Sequence, residues 1–282
     1  MPGRGERSGY SLSPGSVKRL WRRLKQKSLE PLYLLGFRAF FRLLFLCCLT
    51  ANRVDNASPV QHYYGVAPPQ TTSSRADPVY SSPTKLLFLP GASGSTRFWR
   101  PAADLLVHPA QKVHVGWPGL GSTPADPGVT RFADLVARVV AEIDQPTALV
   151  AQSMGGVIAM LAALERPELV THLVLTATSG GVDMESLGAQ DWRPMFVEAN
   201  LFVPQWFIDY REDLTPRLAE LRTPTLLLWG DDDPVSPVSV GQRLAALLPR
   251  AELHVFPGGD HRLAKILAAE VAPLIDRHLA KG

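Results

Sequence analysis

At 282 residues, 46% hydrophobic and 20% charged, the chain is long enough to bury one large core, and a sizeable domain with an appendage fits better than two equal domains. The formal net charge of +3 hides an asymmetry, because residues 1–56 carry 11 Lys/Arg against 3 Asp/Glu whereas 57–282 carry 18 against 23. The larger part is mildly acidic and offers no nucleic-acid surface. The two adjacent cysteines, Cys47 and Cys48, leave it without a disulfide, a thiol nucleophile or a cysteine metal site.

Residues 1–56 read as a basic, partly apolar extension. The stretch 17–27 is basic, and 32–49 is apolar but interrupted by Arg38 and Arg42. Its longest uninterrupted apolar run, 43–49, falls far short of the ~20 residues that a membrane-spanning helix needs. Arg38 and Arg42 share one helical face and leave Phe37, Phe40, Phe41 and Leu44 to the other. Peripheral membrane contact through 17–49 is therefore one expectation, and a poorly ordered extension is the other. A cytoplasmic location is expected, with membrane association through this extension as the alternative. Pro, Ser and Thr mark 57–84 as linker, with His62, Tyr63 and Tyr64 as one short strand within it.

From Lys85 the pattern changes to strands alternating with helices. Strands are expected at 86–89, 112–115, 147–151, 172–176, 225–229 and 252–256. Helices are expected at 98–107, 131–143, 155–164, 238–248 and 264–279, the last kinked or split by Pro273. Such alternation predicts a doubly wound, mostly parallel sheet covered on both faces, an α/β fold over 85–282. Two glycine-rich loops carry no nucleotide signature. Residues 91–96 lack the lysine of a phosphate-binding loop, and Gly116, Gly119 and Gly121 are spaced in the reverse of the dinucleotide order.

The stretch 147–167 organises the rest. A short apolar run leads through Ala151-Gln152-Ser153-Met154-Gly155 straight into an apolar helix. A serine on so sharp a turn needs small residues on either side. The helix behind it directs free N–H groups and a positive dipole end at the point where a carbonyl under attack gathers negative charge. The segment resembles the nucleophile elbow of the α/β-hydrolase family, G-x-S-x-G, with Ala151 in place of the first glycine.

A serine hydroxyl needs a base near neutrality, and that base needs an acid to fix its tautomer. The family order, serine then acid then histidine, is met after the later strands. Gly230-Asp231-Asp232-Asp233-Pro234 matches the acid segment with Asp233 as the acid, Asp232 being the alternative and Asp183 a variant position. Pro257-Gly258-Gly259-Asp260-His261 matches the histidine loop. By the same resemblance the oxyanion donors are the backbone N–H groups of Met154 and Ala92, with Ser93 as the alternative to Ala92. Pro90 stands where the family has a histidine. The resemblance runs from about Lys85 to Leu279.

Between the fourth and fifth strands of this set, 180–222 is where the family inserts a cap, here short and helical. Its aromatics Trp192, Phe196, Phe202, Trp206 and Phe207 are candidates to line a substrate pocket, although most are expected to fasten the cap to the core. The resemblance implies a serine hydrolase that forms an acyl-enzyme from a small, largely apolar, ester-like substrate, with no metal and no organic cofactor. Lactone, thioester and carbon–carbon bond hydrolysis share the same triad. A hydrolase fold kept as a binding module is the non-enzymatic alternative.

Overall fold

The computed structural model describes the backbone of residues 61–63 and the whole of residues 81–281. The expected extension 1–56, Cys47, Cys48 and most of the expected linker lie outside the described residues. Among the described residues, no helix is long and apolar enough to cross a membrane.

A seven-stranded sheet forms the frame, built from β1 (Gln61–Tyr63), β2 (Lys85–Leu89), β3 (Gln111–His114), β4 (Thr147–Gln152), β5 (Val170–Thr176), β6 (Thr225–Gly230) and β7 (Ala251–Phe256). The spatial order is β1-β7-β6-β5-β4-β2-β3. β2 to β7 are mutually parallel, and only β1 is antiparallel, pairing His62 with His254 of β7. The expected strand at His62–Tyr64 thus exists one residue earlier, at the edge of the sheet.

Strand periodicity explains why these segments are apolar throughout. Successive side chains point to opposite faces, and both faces are covered. Leu87, Leu89, Leu149, Ala151, Leu173, Leu175, Leu227 and Trp229 face one cluster, while Leu86, Phe88, Ala148, Val150, Val174, Leu226 and Leu228 face the other. The helices, in chain order, are α1 (Arg100–Ala103), α2 (Phe132–Ala141), α3 (Met154–Glu165), α4 (Arg193–Ala199), α5 (Gln205–Asp209), α6 (Val238–Leu247), α7 (Leu263–Ile266) and α8 (Ala268–Leu279). Buried residues of α2, α3 and α6 join the first cluster, and those of α1, α7 and α8 join the second.

Two helices depart from expectation. The one predicted at 98–107 is only the four residues of α1, because Trp99 is drawn into the core, where its indole N–H donates to the Leu89 carbonyl. The break in the C-terminal helix falls at Leu267, not at Pro273. Pro273 sits in the second turn of α8 and forgoes a single backbone bond there.

Candidate active site

All six parallel strands end on the same edge of the sheet, and the loops that leave those ends carry every candidate residue. Crevices at the carboxyl ends of parallel strands are where ligands of such sheets bind.

At the end of β4 the chain turns sharply, and Ser153 takes φ 53° and ψ −123°, a left-hand conformation that costs a non-glycine residue about 1–3 kcal/mol. Its backbone is held from both sides, by its own N–H on the Thr176 carbonyl (3.0 Å) and by the Gly156 N–H on its carbonyl (2.9 Å). The turn closes only because Gly155 has no side chain; a Cβ there would lie 2.4 Å from the Pro90 carbonyl oxygen. Ala151, two residues back, is fully buried and adopts ordinary strand pairing with Leu89 and Leu175.

Ser153, His261 and Asp233 form one hydrogen-bonded chain. His261 Nε2 lies 3.1 Å from Ser153 Oγ, and His261 Nδ1 lies 2.8 Å from Asp233 Oδ2. Asp233 is buried, and its other oxygen, Oδ1, accepts the Val235 and Ser236 N–H groups at 2.9 and 3.1 Å. A carboxylate only accepts, so Nδ1 of neutral His261 carries the proton and Nε2 presents its lone pair to the serine hydroxyl. That arrangement can take a proton from Ser153 while Asp233 stabilises the resulting imidazolium.

The other aspartates make different contacts. Asp231 accepts the Gly258 N–H at 2.6 Å, and the Asp232 N–H donates to the Gly259 carbonyl at 3.0 Å, so both knit the acid loop to the histidine loop. Asp183 is exposed on the cavity wall and caps the Glu185 N–H at 3.1 Å.

Met154 opens α3, so its N–H has no carbonyl one turn back, and it lines the cavity beside Ser153. Ala92 lies on the loop after β2 and is not among the cavity-lining residues. Its neighbour Gly91 abuts the serine; a Cβ on Gly91 would come within 3.1 Å of Ser153 Cβ. That loop is braced by two indoles, Trp99 on the Leu89 carbonyl (3.0 Å) and Trp117 on the Gly91 carbonyl (2.9 Å). These braces stand where Pro90 leaves no side-chain donor.

Ser153 and His261 open into a cavity of about 400 Å³ whose far wall is the segment between β5 and β6. Of the candidate pocket aromatics, Trp192 and Phe207 line it. Phe196, Trp206 and Phe202 do not, which corrects the sequence expectation. Phe196 packs edge-on to Trp192 and against Phe207, Trp206 packs edge-on to Phe207, and Phe202 is 97% exposed. Phe196 and Trp206 thus form a second layer behind Trp192 and Phe207.

Several lining residues carry no local signal in the sequence. Phe132, at the start of α2, stacks on Tyr210 with ring centroids 3.4 Å apart, fastening the cap to the core. Burial pushes the Tyr210 phenol well above its ordinary range, helped by its hydrogen bond to Glu212. Arg193 lies over the Trp192 ring and pairs with Asp191 at 2.9 Å. Arg211 donates to the Ile208 and Tyr210 carbonyls.

Comparison with known proteins agrees with this architecture. Two family models match consecutive parts of the chain, one for the alpha/beta hydrolase family over residues 86–189 and one for the alpha/beta hydrolase fold over residues 194–264. A 2-hydroxy-6-oxononadienedioate/2-hydroxy-6-oxononatrienedioate hydrolase of Burkholderia vietnamiensis is 28% identical over 226 residues, covering 61% of this chain and 77% of that protein. Among solved structures, a meta-cleavage product hydrolase of Pseudomonas fluorescens superposes with a TM-score of 0.57 at 20% identity over 70% of this chain and 91% of its own. A thermophilic esterase of Thermogutta terrifontis superposes with a TM-score of 0.58 at 17% identity over 79% of this chain and 99% of its own. At those identities the structural likenesses speak for the fold alone. The sheet order, the sharp serine turn and the two family matches lead to one conclusion: the chain belongs to the α/β-hydrolase superfamily and is a hydrolase of that fold.

Proposed function

We propose that the protein is a serine hydrolase that cleaves a carboxylic ester, or a related acyl bond, of a small and largely apolar substrate through an acyl-enzyme. The observation that carries this reading is the unbroken Ser153–His261–Asp233 hydrogen-bond chain opening into a cavity walled by Trp192, Phe207 and Val157.

In this reading Ser153 Oγ attacks the acyl carbon as its proton passes to His261 Nε2. The tetrahedral oxyanion is held by the N–H groups of Met154 and Ala92. Collapse breaks the acyl–oxygen bond, and His261 returns the proton to the departing alcohol. Water, deprotonated by the same Nε2, then attacks the acyl-enzyme and frees the acid and Ser153. Asp233 holds the imidazole in the required tautomer throughout.

Hydrolysis of p-nitrophenyl esters of graded acyl length by the intact chain tests this. The expected result is turnover that Ser153→Ala lowers by about 10⁴-fold or more, the scale on which losing a triad member acts. Turnover that survives Ser153→Ala would sink the reading.

A second reading has its own support. Arg211 lines the cavity and pairs with no carboxylate among the described residues, and the relative from Burkholderia vietnamiensis is named for hydrolysis of a diacid. A carbon–carbon bond hydrolase acting on an oxo-dienoate acid would use the same serine, with a guanidinium opposite the substrate carboxylate. Loss of the dienoate chromophore on incubation with the protein, with no p-nitrophenyl ester turnover, would favour it.

A further inference from the structure

We propose that Gln152, the residue before Ser153, is a positioning residue that ties the histidine loop to the oxyanion loop, an inference that rests on the serine-hydrolase reading above. Gln152 ends β4 and is 5% exposed, yet it is absent from the cavity lining and so lies behind the reacting atoms. Its Nε2 donates to the backbone carbonyl of His261 at 3.3 Å. A carbonyl can only accept, so that contact fixes which end of the amide is the NH₂ and turns Oε1 the other way. Oε1 then faces Gly91, where a Cβ would lie 2.3 Å from it and 3.2 Å from Gln152 Cδ.

One buried amide is thus wedged between the backbone of the base and the backbone of the loop that precedes Ala92. The rest of the histidine loop is fixed further back, through Gly258 on Asp231 and Gly259 on the Asp232 N–H. The oxyanion loop is fixed from the far side by Trp117. Gln152 is where those two separately braced loops meet the elbow. A buried polar side chain is costly unless it is hydrogen-bonded, and an apolar residue of the same length would fill the space. The His261 carbonyl and the missing side chain of Gly91 are what make an amide the residue that fits.

The test uses the intact chain and the rate at which a fluorophosphonate labels Ser153, which needs no knowledge of the substrate. Gln152→Met keeps length and volume but removes the donor. Its limiting labelling rate is expected to fall about tenfold while the half-saturating probe concentration moves less than twofold, the pattern of a misplaced rather than unoccupied site. Gln152→Glu supplies a donor only while its carboxyl is protonated. Its rate relative to wild type at the same pH is therefore expected to recover as pH falls, whereas the ratio for Gln152→Met stays flat.

Wild-type labelling in both variants, or a Glu ratio as flat as the Met ratio, would overturn the proposal. If thermal melting shows Gln152→Met unfolded, Gly91→Ala approaches the same contact from the other side, and an unchanged labelling rate in that variant overturns it equally. No labelling of folded wild type would instead count against the serine-hydrolase reading itself.

Discussion

Gly230 and Gly259 lie backbone against backbone: a Cβ built on Gly230 would sit 2.0 Å from the Gly259 carbonyl oxygen. Gly230 ends β6 just before the acid loop, and Gly259 stands two residues before His261. Their close approach lets the neighbouring loops exchange the Asp232–Gly259 and Asp231–Gly258 hydrogen bonds and sets the 2.8 Å separation of His261 from Asp233. Gly230→Ala forces the loops apart. Ester hydrolysis is expected to fall about a hundredfold, the cost of misplacing a catalytic group by about 1 Å. A stability loss of about 1–3 kcal/mol should accompany it, and steady-state kinetics with a denaturant melt checks both.

Asp233→Asn tests the tautomer. Its Oδ1 can keep accepting from Val235 and Ser236, so the new NH₂ must face His261 Nδ1. Two donors cannot meet there, and the imidazole proton moves to Nε2, where it blocks acceptance from Ser153. Activity is expected to drop by roughly 10⁴-fold with little change in the melting temperature. Activity within tenfold of wild type would show that Asp233 does not set the tautomer.

The histidines at the other end of the sheet govern stability rather than chemistry. His172 donates from Nε2 to the Lys281 carbonyl at 2.7 Å and stands edge-on to His278 at 5.2 Å. Burial, with His172 and Lys281 nearby, pushes the His278 pKa down to about 3, and burial lowers His172 as well. Below about pH 6.5 the unfolded chain takes up a proton that folded His278 refuses until about pH 3. Stability is therefore full above about pH 6.5 and falls through that window, by up to about 1.4 kcal/mol per pH unit for one such group. His278→Asn keeps a donor without the titration. Its melting temperature should fall less than that of wild type between pH 7.5 and pH 5, and identical slopes would refute the assignment.

The cap residues separate into a wall and a backing. Trp192→Ala should raise KM for the longer p-nitrophenyl esters about tenfold, the order expected for losing a buried aromatic contact. Phe202→Ser should leave the kinetics within twofold, because that ring is 97% exposed. A larger effect at Phe202 than at Trp192 would reverse their placement.

The backbone plan was legible because it rests on local signals. The six parallel strands read as apolar runs since both faces are covered, and the order of serine, acid and histidine follows from which strand each loop leaves. Ser153, Asp233 and His261 stand where that order places them, and their side chains meet in one chain of hydrogen bonds. What escaped has its cause in distant partners. Gln152 meets a carbonyl 109 residues away, and Trp117 meets one 26 residues away, with nothing in the adjoining sequence to mark either. Phe196, Trp206 and Phe202 share a composition with Trp192 and Phe207, but irregular cap backbone offers no period from which to tell inward from outward. β1 was legible as a short strand, but its antiparallel pairing with β7 was not, because that partner lies far along the chain.

The backbone at Ser153 carries a further consequence. A residue with φ 53° and ψ −123° occupies a place where glycine would be at ease. Ser153→Gly should give a protein that melts higher and does no chemistry. A screen rewarding heat resistance alone would therefore drift toward removing the one side chain that the elbow exists to hold, and any campaign to harden this fold has to score turnover and melting together.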